Sequence, residues 1–159
     1  MPLVHGAVPW AISLLSVRHG WVDHRPGTWN LAGLSLVAVG CAGIVWALGV
    51  HFAEAPRGWE FERTPNYLLT RGPYRFTRNP IYVAYGLIWP GWAVFYGSVA
   101  LLVSGLLVGP IGYLLVIPRE ERNLEARFGE TYREYKRAVP RWLGSISHQN
   151  KATRRSDRQ

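Results

Sequence analysis

The chain contains a single cysteine, Cys41, so neither a disulfide framework nor a cysteine-rich metal site can be built from it. Its five histidines are scattered and form no ligand cluster; the nearest pair is His19 and His24. No G-x-G-x-x-G or P-loop segment is present, so nothing points to a Rossmann or Walker nucleotide site. Acidic residues are few, ten against eighteen Lys and Arg, for a net charge of +8. The most telling absence is local: residues 81–117 hold no charge of either sign over 37 positions.

That run sets the class of protein. A bilayer core is about 30 Å thick and takes roughly 20 helical residues to cross. The run is too long for one crossing and suits two, 81–96 and 99–117, turned at Phe95-Tyr96-Gly97-Ser98. A second charge-free block covers 31–50, and a shorter third, 3–17, contains Pro9. The expectation is an all-α integral membrane protein with about four transmembrane helices, the first the weakest, and a C-terminal hairpin. The amino terminus has no basic region before its apolar stretch and no small-residue cleavage pattern after it, unlike a signal peptide.

A basic chain of this kind could suggest nucleic acid, but the cations flank apolar spans. Five Lys or Arg lie in 51–80, eleven after Pro118, and only Arg18 and Arg25 in 18–30. The positive-inside rule then places both termini and the 51–80 loop in the cytoplasm, and no nucleic-acid partner is expected. Some of the cations can hold anionic lipid headgroups. One membrane-embedded domain is expected over 1–142, followed by a polar, basic and disordered tail over 143–159.

Local signals refine the outline. Arg78-Asn79-Pro80 reads as a helix start, with asparagine as N-cap and proline at the first helical position. Pro90 and Pro110 should each kink a span. Gly105 and Gly109 have the GxxxG spacing of close helix packing. After Pro118, Leu124, Phe128, Tyr132, Tyr135 and Val139 recur at helical spacing among charges, predicting one cytosolic amphipathic helix. The tryptophans mostly fall near span ends as an aromatic belt, and packing is the default role of Cys41.

Two segments could carry chemistry. Glu120 and Glu121 directly follow an apolar span, where a carboxylate is costly unless paired. The alternative is that they are the first charges of a solvated helix. Arg71-Gly72-Pro73-Tyr74-Arg75-Phe76-Thr77-Arg78-Asn79-Pro80-Ile81-Tyr82 combines rigid residues, tyrosines and three arginines before a helix start. On composition alone it is an anchored loop.

Together, GPYRFTRNPIY and the later EERNLEARFGETYREYKRAVPRW resemble the isoprenylcysteine carboxyl methyltransferase family and related membrane phospholipid methyltransferases. The matching positions are Gly72, Tyr74, Arg78, Pro80 and Tyr82, then Glu120, Glu121, Leu124, Phe128, Gly129, Tyr132, Tyr135, Val139 and Pro140. The resemblance covers roughly residues 65–142. It implies S-adenosylmethionine as cofactor and a lipophilic acceptor, methylated either on a carboxylate, as in an isoprenylcysteine, or as a lipid. By likeness the cofactor would meet Asn66, Leu68, Leu69, Tyr74, Asn79, Pro80, Ile81, Tyr82 and Glu120. Arg75, Arg78 and Arg119 are the substrate-binding candidates, and Arg119 and Glu121 the catalytic ones, with Glu121 the possible base for an amine acceptor. No metal is implied. Two positions depart from the pattern: Asn79 replaces the family histidine, and Val116 stands where the eukaryotic enzyme has a substrate arginine. A nicotinamide-dependent enzyme of the sterol reductase type and a non-catalytic membrane scaffold remain open as alternatives.

Overall fold

A computed structural model describes the backbone of residues 2–55 and 67–143, and the side chains of 6–55 and 67–143. Asn66 and the tail beyond residue 143 lie outside the described residues. The described chain is almost entirely helical: α1 (Pro2–Ser13), α2 (Ala32–Glu54), α3 (Pro80–Tyr96), α4 (Val99–Ile111), α5 (Ile117–Phe128) and α6 (Glu130–Ala138). Its strands are the two-residue β1 (Trp21–Val22) and β2 (Arg25–Pro26), an antiparallel ribbon turned by Asp23 and His24, both at positive φ.

Helices α2 and α3 run antiparallel in close contact because small residues line the seam. A Cβ on Gly33 would lie 2.3 Å from the Gly91 carbonyl oxygen, and one on Gly40 would lie 2.8 Å from that of Ala84. Gly33, Gly40 and the fully buried Ala47 recur every seven residues, which keeps them on one face of the helix. The GxxxG pair behaves differently. Gly105 packs under the Trp89 ring, whereas Gly109 faces open space. Cys41 is exposed on the outer surface of α2, not packed inside as its position in the span suggests.

The hairpin turn falls where the sequence places it. Gly97 caps α3 in the left-handed conformation, and the Ser98 side chain accepts a hydrogen bond from the Leu101 amide at the start of α4. Around this turn Ala93, Tyr96 and Leu101 are buried against Trp21, Trp89, Trp92 and Phe95. Buried Asn30 ties the preceding loop to it, donating to the carbonyls of His19 and Val94 at 3.2 and 2.9 Å.

Beyond Pro110 the backbone widens into a π-turn over Gly112–Val116 and continues as α5. Pro110 and Pro118 each lack the N–H that a regular α-helix requires there, and the looser turn lies between them. The result is a helical stretch of 30 residues, Val99–Phe128, about 45 Å long. It and Thr28–Glu54 are long and apolar enough to cross a bilayer, and little of either is buried within the protein. Leu102, Leu106, Leu107, Leu114 and Leu115 are all exposed, an apolar surface of the kind that faces a bilayer or a partner. Helices α3, of 17 residues, and α1, of 12, are shorter.

The amphipathic segment is two helices, not one. Gly129, at φ 54° and ψ −125°, breaks it between α5 and α6. The apolar face still forms as expected, with Tyr132, Tyr135 and Val139 buried against Leu68, Leu124 and Phe128. This second core holds the loop after α2 and sits at the far end of the bundle from the hairpin turn.

Candidate functional site

Between that second core and the start of α3 lies a cavity of about 770 Å³. One wall is the loop with Leu68, Leu69 and Tyr74, followed by Asn79, Pro80, Ile81 and Tyr82 at the start of α3. The facing wall comes from the π-turn and α5 with Val116, Arg119, Glu120, Glu121 and Asn123, and the floor from Tyr132 and Tyr135 of α6. Two segments about 40 residues apart in sequence therefore meet because the α3–α4 hairpin returns the chain to the end where it began.

Glu120 and Glu121 are sequence neighbours with different surroundings. Successive residues on a helix point about 100° apart. Glu120 is exposed at the cavity, where the Tyr82 hydroxyl donates to both carboxylate oxygens at 3.2 Å. Glu121 is buried. Its Oε1 lies 2.9 Å from Arg78 Nη1 and accepts from Arg141 Nε at 3.1 Å, while its Oε2 accepts from Arg141 Nη2. Both Glu121 oxygens are thus turned toward guanidinium groups, the setting of a buried ion pair. Arg78 also lines the cavity: its side chain is 11% exposed with Nη1 beside Glu121, yet among the described residues neither its Nε nor its Nη1 makes a hydrogen bond. Arg75 is exposed and does not line the cavity. Arg119 does line it, and among the described residues it forms no ion pair.

Asn79 stands at the N-cap of α3 but makes no side-chain cap hydrogen bond. Its Nδ2 instead donates to the Arg141 carbonyl at 3.2 Å, beside Thr77 Oγ1, which donates to the same oxygen at 2.8 Å. The first turn of α3 is therefore without a side-chain cap, next to Glu120 and Tyr82.

Burial, with the nearby Tyr67 and Glu120 adding to it, pushes the Tyr74 phenol up to about 12. Burial likewise raises Tyr135, whose hydroxyl donates to the Tyr74 carbonyl at 2.7 Å. His51, at the end of α2, together with Tyr67 and Tyr85, also lines the cavity. Sequence reasoning did not single out these three. The available signal was a titratable residue, His51, at the end of an apolar span beside the basic loop.

Residues 28–131, nearly two thirds of the chain, match the phospholipid methyltransferase family. The chain is 38% identical over 81 residues to a methanethiol S-methyltransferase from Crocosphaera subtropica, covering 51% of this chain and 31% of that protein. It is 34% identical over 104 residues to the cobalt-zinc-cadmium resistance protein CzcN of Cupriavidus metallidurans, covering 63% of this chain and 48% of that one. An uncharacterized Haemophilus influenzae protein is matched over its whole length, at 38% identity across 68 residues and 40% of this chain. The chain thus spans half or less of the length of the first two relatives. No solved structure matches it. The match over residues 28–131 contains the hairpin and most of the cavity wall that the two motifs build, and the chain belongs to the phospholipid methyltransferase family.

Proposed function

We propose that this chain is a membrane-embedded methyltransferase that takes its methyl group from S-adenosylmethionine and passes it to a small lipophilic acceptor entering from the bilayer. One observation carries the reading: the Tyr82–Glu120 pair lines the same cavity as the start of α3, which has no side-chain cap. These residues fit the cofactor. Glu120 is an acceptor for an ammonium group. The faces of Tyr74 and Tyr82 suit a sulfonium cation. The amides of Ile81 and Tyr82, in the first turn of α3, suit a carboxylate. When bound, S-adenosylmethionine supplies an electrophilic methyl group on sulfur.

The remaining contribution of the chain is alignment and exclusion of water, which an in-line displacement needs more than it needs a base. With Glu121 paired to Arg78 and Arg141, the reading favours an acceptor that is ionised, or nearly so, at neutral pH. Arg119 supplies a positive charge on the wall for such a group. A carboxylate meets this condition; a thiol, the acceptor that the name of the Crocosphaera relative indicates, reacts as its thiolate and would need the positive charge of Arg119 to favour that form. The reading also includes about four spans, α1 with its 12 residues the weakest, then α2, α3 and the 99–117 stretch, with the charged part of α5, the cavity and both termini on the cytoplasmic side.

Calorimetric titration of the purified protein in nanodiscs with S-adenosylmethionine and with NADPH tests the reading. S-adenosylmethionine should bind and NADPH should not. Binding of NADPH alone points to the reductase alternative, and binding of neither by folded protein points to a scaffold.

A further inference from the structure

We infer that Arg141 is a positioning residue, the centre of a latch by which residues 139–142 hold the two walls of the cavity in register. This inference rests on the proposed cofactor reading for its binding consequence only.

Residues 139–142 lie outside any helix, yet they grip both walls. On the α3 side, the Arg78 amide donates to the Pro140 carbonyl at 3.0 Å, and the Arg141 carbonyl accepts from both Thr77 Oγ1 and Asn79 Nδ2. On the α5 side, the Arg141 guanidinium meets both oxygens of Glu121, and the Trp142 ring stacks on Tyr113 of the π-turn at 5.7 Å and 19°. The two walls touch the same four residues, some 60 positions downstream of the α3 start.

Two consequences follow for the cavity. Asn79 Nδ2 donates into the latch, and in the orientation this sets its Oδ1, the atom that would accept at an N-cap, makes no cap, so the first turn of α3 stays available. The orientation of α5 is set by the buried Glu121, and that orientation turns the neighbouring Glu120 toward Tyr82. Neither Arg141 nor Trp142 lines the cavity, so the effect of Arg141 passes through Glu121 and Asn79.

Full-length protein in nanodiscs, with Arg141→Gln, Arg141→Lys, Glu121→Gln and the Glu121→Gln/Arg141→Gln double variant, tests this. Two readouts are needed: hydrogen exchange at the Arg78 and Asn79 amides, and affinity for S-adenosylmethionine. Arg141→Gln should speed that exchange about tenfold and weaken binding at least fivefold. Arg141→Lys keeps the charge but loses the bidentate fork and should fall between the two. The double variant should be no worse than Glu121→Gln alone, as expected of residues acting as one unit. Folded Arg141→Gln protein with parental exchange and parental affinity overturns the latch. If Arg141→Gln does not fold, parental exchange in Arg141→Lys overturns it instead. Failure of the parent itself to bind S-adenosylmethionine overturns the cofactor reading, while the exchange measurement still decides the latch.

Discussion

Replacing Glu120 and Glu121 one at a time by glutamine should give opposite results, although the two residues are adjacent and chemically identical. Glu121 is buried between Arg78 and Arg141. Neutralising it leaves two guanidinium groups without their anion, and breaking a buried pair from one side costs about 3–5 kcal/mol. That is a large part of the stability of a chain this size. Glu120 is exposed, and a glutamine there can still accept from the Tyr82 hydroxyl, so stability should change by less than about 0.5 kcal/mol. What Glu120→Gln removes is the charge. A charge-assisted hydrogen bond to a ligand ammonium is worth about 1.5–3 kcal/mol, or roughly a tenfold to 150-fold loss of affinity. Thermal unfolding in detergent together with calorimetric titration of S-adenosylmethionine measures both quantities. Equal destabilisation by the two variants, or parental affinity in Glu120→Gln, would show that the assignment of the two carboxylates is wrong.

Further predictions come from the same geometry. Gly33→Ala should destabilise the protein by about 1–3 kcal/mol in thermal unfolding because its Cβ meets the Gly91 backbone, whereas Gly109→Ala, facing open space, should be neutral. Asn79→Asp would be harmless at an ordinary N-cap, but here it removes the donor to the Arg141 carbonyl, so stability in thermal unfolding should fall by about 1–3 kcal/mol. The Tyr74 phenol titrates near 12 in the folded protein and near 10 unfolded, so its contribution is complete below pH 10 and is lost as pH rises toward 12. Alkaline unfolding curves should show that loss, and it should shrink in Tyr74→Phe. In a Cys41→Ala background, a cysteine at the exposed Asp23 should be labelled from outside intact cells and one at the exposed Glu134 should not; the reverse pattern would invert the proposed orientation.

Much of this protein is decided by local chemistry. Pro80 starts α3 because proline is tolerated at a first helical position, and Gly97 ends it because the left-handed cap suits glycine. The charge-free run between them and Pro118 forces the hairpin, and the hairpin alone brings the 68–82 and 116–124 segments to the same end. The family motifs add chemical meaning to residues already placed together by that return.

Other features were settled only by packing. The helical period of Leu124, Phe128, Tyr132 and Tyr135 runs unbroken through Gly129, so apolar spacing predicts one helix where the backbone turns. Gly105 and Gly109 have the better-known spacing, yet the tight seam uses Gly33, Gly40 and Ala47, because which glycine meets a neighbour depends on how the helices are rotated. Asn79 is a sound cap by type, but its amide group goes to a carbonyl 62 residues away. Most of all, a one-residue step along α5 separates an exposed carboxylate at the cavity from a buried one locked between arginines. A sequence specifies that those two side chains point about 100° apart, and only the packing of buried Tyr132 and the placement of Arg78 and Arg141 on one side of α5 decide which of them is taken into the ion pair.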